Sequence, residues 1–153
     1  MSEHGVVVAW ERNGQAFTDR RYSRGHRWIF DGGVEVPASS SPLAVRPPMS
    51  VEAAVDPEEA FIASVSSCHM LWFLAIAAKQ GFVVEGYRDE AMGVLGKDAE
   101  GKLAITEVLL RPRVAFAGQV QPTAEQHEAL HHEAHEQCFI ANSVKSRIRC
   151  EPV

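Results

Sequence analysis

The chain has 153 residues, 46% of them hydrophobic, and a formal net charge of −5 at pH 7, a size and composition that suit one domain, residues 1–153, with an ordinary core. With no overall basic field, nucleic acid is excluded as a leading partner. Three cysteines are too few and too widely spaced for a secreted disulfide framework, and no CxxC pair points to a zinc knuckle.

The opening Met1-Ser2-Glu3-His4-Gly5 has neither a basic nor a long apolar stretch, and no run of eighteen uncharged apolar residues follows, so the expectation is a cytoplasmic protein without a membrane span. Residues 5–10, 15–22 and 26–30 read as short strands punctuated by Asn13-Gly14 and Asp31-Gly32-Gly33, an antiparallel meander. Residues 37–48 hold four prolines and three consecutive serines and read as an extended connector. A helix over 57–80 has the sharpest signals: Asp56 as N-cap, Pro57 at the first position, Glu59 to complete a capping box and Gly81 beyond the end. Its run from Ala60 to Ala78 is so apolar that burial on nearly all sides is expected. Strands over 83–94 and 103–116 follow, joined by a polar loop with Gly96 and Gly101. A helix over 122–137 and a last strand over 147–152 complete an α+β order.

Two cysteines stand in informative settings. Cys68 lies within Ser66-Ser67-Cys68-His69-Met70, and Cys138 follows the second helix in Glu136-Gln137-Cys138-Phe139. A cysteine in an apolar helix is ordinarily a small packed hydrophobe. Ser64, Ser66 and Ser67 leave space around Cys68, but such residues also permit close helix packing. Brought together, the two thiols would form a redox-active pair. Cys150, in the terminal strand, reads as a structural thiol. His69 beside Cys68 does not make a hydrolase dyad, because consecutive helical residues point about 100° apart.

His127, His131 and His135 recur every four residues, with Cys138 three further on, so one helical face could offer ligands to zinc or nickel. The intervening Glu128, Glu133 and Glu136 equally describe a solvated face, and no metal site is assigned.

The stretch Asp56-Pro57-Glu58-Glu59 followed by Cys68, together with His135-Glu136, Cys138 and Asn142-Ser143, resembles the two motifs of the OsmC and Ohr family, the osmotically inducible and organic hydroperoxide resistance proteins. The resemblance implies an OsmC-like fold, with antiparallel sheets wrapped around long central helices in an intertwined homodimer. It further implies a thiol peroxidase without a resident cofactor: Cys68 attacks an organic hydroperoxide and becomes a sulfenic acid, Cys138 resolves it as a disulfide, and an external dithiol of the lipoyl type resets the pair. Glu58 would orient an arginine in the site, with Arg24 favoured and Arg46 the alternative. The run Ser66-Ser67-Cys68-His69-Met70-Leu71-Trp72 departs from the better-known motif and points to a different pocket shape.

Two geometric expectations follow. Cys68 lies about 16 Å along its helix, whereas the helix dipole acts only within the first turn. The dipole is therefore insufficient, and the arginine that the resemblance implies would chiefly hold peroxide and stabilise the departing oxygen. Glu58 and Cys68, ten residues apart, are separated by about 15 Å on a straight helix, so a shared pocket requires either a break in that helix or residues from two subunits with antiparallel central helices, and the nearly all-apolar helix favours the second. Non-enzymatic alternatives are a dimeric redox sensor or a small-ligand or metal-binding protein using the same thiols or the histidine face.

Overall fold

The computed structural model describes residues Met1–Val153, which divide into two compact units, Met1–Ala60 and Phe61–Val153. In the first, β1 (Val6–Ala9), β2 (His26–Phe30) and β3 (Glu35–Ala38) form an antiparallel sheet in that order. Pro37, which the sequence places in the connector, is in β3. It is tolerated there because β3 lies at an edge, where a residue without an N–H breaks no ladder. The connector then returns to the strand: Val55 N–H bonds Pro37 O at 3.0 Å and Ser39 N–H bonds Val55 O at 3.0 Å.

The expected strand over 15–22 does not form. Arg20 has φ +65°, a left-handed conformation that interrupts an extended run. Gln15 uses its side chain instead, accepting from Ser23 N–H at 2.8 Å and donating to Arg12 O at 2.9 Å. Its aromatics collect locally, Phe17 stacking on Tyr22 with centroids 4.5 Å apart and Trp10 meeting Tyr22 edge-on at 5.5 Å.

Helix α1 (Pro57–Lys79) starts as its sequence predicts. Asp56 Oδ1 accepts Glu59 N–H at 2.8 Å while Glu59 Oε2 accepts Asp56 N–H at 3.2 Å, the reciprocal capping box. At the other end Gly81 takes φ +84° and Phe82 N–H returns to Ala77 O at 3.0 Å, closing the helix through a left-handed residue.

In the second unit the expected long strands are each cut in two. β4 (Val83–Asp89) pairs with β7 (Pro112–Ala117), whereas β5 (Met92–Lys97) pairs with β6 (Leu103–Leu110). The breaks fall beside Asp89, whose Oδ1 accepts Arg111 N–H at 2.6 Å, so one carboxylate fastens both corners. Helix α2 (Ala124–Gln137) carries its own capping box between Thr123 and Gln126. After it, β8 (Arg147–Cys150) lies parallel to β6, so this sheet is mixed rather than antiparallel throughout.

The core of this unit has two clusters. Phe73, Ile76 and Ala77 of α1 pack with Phe82, Leu130 and Ala134. Val65 packs with Val108 and Leu110. Gly93 admits α1 closely, since a Cβ there would lie 2.5 Å from Ile62 Cδ1.

The expectation that α1 is buried on nearly all sides is corrected. By length and composition α1 could cross a membrane, contrary to the expected lack of such a segment, and only 28% of its most apolar stretch is buried within one chain. Ala63, Ser67, Leu71, Ala75 and Ala78 are exposed, and their spacing makes one stripe along the helix.

Candidate functional site

Cys68 is the twelfth residue of α1 and is partly exposed. Cys138 is the C-cap of α2, held in extended conformation with its N–H bonded to His135 O. The turn after it, Ala141–Ser143, directs Ala141 N–H to Cys138 Sγ at 3.4 Å and Asn142 N–H to Cys138 O at 3.0 Å. Phe139 meets Trp72 edge-on at 5.5 Å. Trp72 is one helical turn beyond Cys68, on the same face, so this contact brings the end of α2 to the face of α1 that bears Cys68.

The two thiols, 70 residues apart in sequence, act on one another electrostatically. Burial pushes the Cys138 thiol up to about 11; the Ala141 N–H opposes this, and the neighbouring Cys68 raises it further. Cys138 is only 1% exposed. At neutral pH it is therefore a protonated thiol, and Cys68 is the more accessible of the two.

Around them, Ser66 Oγ donates to Asp89 Oδ2 at 2.5 Å and Ser64 Oγ to Phe61 O at 2.7 Å. These serines leave room beside Cys68 without leaving their hydroxyls unpaired.

The arginine expected at Glu58 is not joined to it within the chain. Arg24 turns its guanidinium onto Arg20 O and Tyr22 O and over the Tyr22 ring, 3.9 Å from the centroid. It lines an open, largely apolar cavity of about 450 Å³ together with Trp10, Phe17 and Pro57. Arg46 is exposed and forms no ion pair. Glu58 Oε2 is buried without a hydrogen-bond partner.

The solvated reading of the histidine face is overturned at its centre. His131 is 3% exposed and stacks on Phe73 with centroids 4.3 Å apart. Its Nδ1 lies 3.0 Å from His69 Nε2 and its Nε2 lies 3.2 Å from His127 Nε2. His69, set aside as a partner for Cys68, meets a different cysteine: its Nε2 lies 3.7 Å from Cys150 Sγ. Burial lowers His69 to about 4, with the charge of His135 acting in the same sense and Asp89 opposing; burial, His69 and His127 lower His131 to about 3. Both imidazoles are neutral at pH 7. Sequence reasoning missed this cluster because its members come from α1, α2 and β8. The available signal was His69 in an otherwise apolar helix, four positions before the core residue Phe73.

A central helix bearing one cysteine, with a second cysteine capping the following helix inside a mixed α+β frame, is the architecture of the OsmC-like proteins. The chain belongs to that family, whose OsmC-like protein model matches residues 50–152. It is similar to an OsmC-like protein of unknown function from Vibrio cholerae, at 56% identity over 100% of both chains with a TM-score of 0.99. The fold is shared with an organic hydroperoxide resistance protein from Elizabethkingia anophelis, 17% identical over 99% of this chain and 94% of the other, TM-score 0.71. It is also shared with the organic hydroperoxide resistance protein OhrB of Bacillus subtilis, 18% identical over 99% and 98%, TM-score 0.69. No curated protein sequence matches significantly.

Proposed function

We propose that this protein is a cysteine-based peroxidase that reduces organic hydroperoxides to alcohols. The observation that supports the reading is the placement of Cys68 and Cys138 where Trp72 of α1 meets Phe139 at the end of α2, one thiol partly exposed and the other buried. The Cys68 thiolate attacks the distal peroxide oxygen, the O–O bond breaks, and the alkoxide leaves and takes a proton to give the alcohol, with Cys68 as a sulfenic acid. Cys138 then attacks that sulfur, expelling water and forming the Cys68–Cys138 disulfide. An external dithiol, of the lipoyl type, reduces the disulfide by two exchange steps and is itself oxidised.

A homodimer belongs to this reading. The apolar stripe through Ala63, Ser67 and Leu71 and the unpartnered Glu58 oxygen both favour completion by a second copy, its arginine, Arg24 or Arg46, reaching Glu58. The guanidinium would bind peroxide and stabilise the departing oxygen, a contribution of several kcal/mol for preorganised donors. The cytoplasm, with its reducing thiol pools, is the fitting compartment.

The test is consumption of cumene hydroperoxide with dihydrolipoamide as reductant. Many turnovers per chain are expected; a single stoichiometric oxidation would make the protein a sensor, and no thiol oxidation would remove the reading altogether.

A further inference from the structure

Three donor atoms from three separate elements converge inside the second unit. His69 of α1, His131 of α2 and Cys150 of β8 each place one ligand atom within 4.8 Å of the others. His69 and His131 are 1% and 3% exposed. A tetrahedral zinc ion, with bonds of about 2.0 to 2.1 Å to nitrogen and about 2.3 Å to sulfur, sets neighbouring ligands about 3.3 Å (N to N) and about 3.6 Å (N to S) apart. Here His69 Nε2 is 3.0 Å from His131 Nδ1 and 3.7 Å from Cys150 Sγ. Two edges of a coordination triangle are thus already near their bound lengths.

Hydrogen bonding alone serves these groups poorly. His69 Nε2 carries either one proton or one lone pair, yet it faces both His131 and Cys150. Its other nitrogen, Nδ1, is buried with no partner. One cation facing all three donors would satisfy the convergence that a single proton cannot.

We propose that His69, His131 and Cys150 form a site for a borderline-soft divalent transition ion of the zinc type, separate from the Cys68–Cys138 pair. Two imidazoles and one thiolate are a donor set suited to such an ion. Both histidines are neutral, with lone pairs available, and Cys150 gives up its thiol proton on binding. His127 supports the ligand behind it: with His131 bound through Nδ1, its Nε2–H donates to His127 Nε2 at 3.2 Å, the outer-sphere bond that orients a ligating imidazole. Asp89 acts electrostatically on both His69 and Cys150, and its negative field favours a dication there. A cavity of about 450 Å³ lined by His127, His131, His135 and Cys150 gives the ion an entry path and leaves a coordination position for water or a small ligand.

The test uses the full-length protein, reduced and freed of metal, titrated with Co²⁺ and then Zn²⁺. One Co²⁺ per chain is expected, with a thiolate-to-cobalt charge-transfer band and intense visible bands of a low-symmetry site, all displaced by Zn²⁺. Cys150→Ser should remove the charge-transfer band, and both it and His69→Gln should weaken binding by about tenfold or more. Cys68→Ser should bind cobalt as the unaltered protein does. Absence of cobalt binding would overturn the proposal, as would a charge-transfer band that survives Cys150→Ser but vanishes in Cys138→Ser. Should the variants not fold, alkylation of the unaltered protein decides: Zn²⁺ slows modification of Cys150 by about tenfold or more and spares Cys68 if the site is real, whereas equal rates refute it.

Discussion

Two regions of this chain branch from adjacent residues of α1. Cys68 lies on the face of α1 where Trp72 meets Phe139 at the end of α2, with Cys68 partly exposed and Cys138 buried. His69 turns the other way, into a cluster with His131 and Cys150. The angle of about 100° between consecutive helical residues is enough to send neighbours into different chemistry. The first region pairs sulfur with sulfur and suits two-electron oxidation. The second surrounds one sulfur with neutral nitrogen and suits a cation. A cysteine's chemistry is decided by its neighbours in space, and the contrast is open to experiment.

The largest expected effect separates the two regions. Cys68→Ser should lower peroxide turnover by about a thousandfold or more, since it removes the nucleophile itself. Cys138→Ser should instead allow one oxidation and then accumulate sulfenic acid, read by mass spectrometry with a sulfenate-trapping reagent. If Cys150→Ser lowers turnover as far as Cys68→Ser does, the division between the regions fails.

Acid should act through the second region. His69 and His131 are charged less readily in the folded protein than at their ordinary value of 6.5, reaching about 4 and about 3. The unfolded chain therefore takes up the protons first as pH falls. Their contribution to stability is complete above about 6.5 and is lost progressively as pH falls toward those folded values. Facing them are His127, His135, Asp89, Tyr87 and Cys150. Between about pH 7.5 and about pH 5, metal-free protein should lose on the order of 2 to 4 kcal/mol by chemical denaturation. A variant with both histidines replaced by Gln should lose less; an equal loss would assign the acid sensitivity to other groups.

Smaller effects sharpen the comparison at its edges. Glu58→Gln should reduce turnover by about tenfold, or about 1.4 kcal/mol, if Glu58 orients an arginine in the dithiol site, while cobalt affinity stays unchanged. Thr123→Ala removes the N-cap of α2, the helix that supplies both His131 and Cys138, and should cost about 1 kcal/mol of stability in thermal or chemical unfolding.

The legible parts of the molecule were those encoded locally. The capping box of Asp56 with Glu59 announces itself because its partners lie three residues apart, and α2 carries a second such box, Thr123 with Gln126, not anticipated from the sequence. Cys68 and Cys138 stood out as a candidate pair because both sit in motifs that resemble those of a known family. Most of the failures share a non-local cause, and the strand over 15–22 is the local exception. The strand over 15–22 gave way to a left-handed Arg20 and to side-chain bonds from Gln15. The two long strands were cut where Asp89 fastens two corners 22 residues apart. The His69 cluster joins residues 62 and 81 positions apart, a separation that no periodicity spans. The apolar length of α1 signalled burial correctly in kind, but one chain covers only part of it.

The most direct test is peptide mapping after one equivalent of organic hydroperoxide has been added to fully reduced, metal-free protein. A single linkage between the peptides bearing Cys68 and Cys138, reversible by dihydrolipoamide, is the predicted product. A linkage through Cys150, or oxidation that leaves Cys68 and Cys138 as free thiols, would contradict the account.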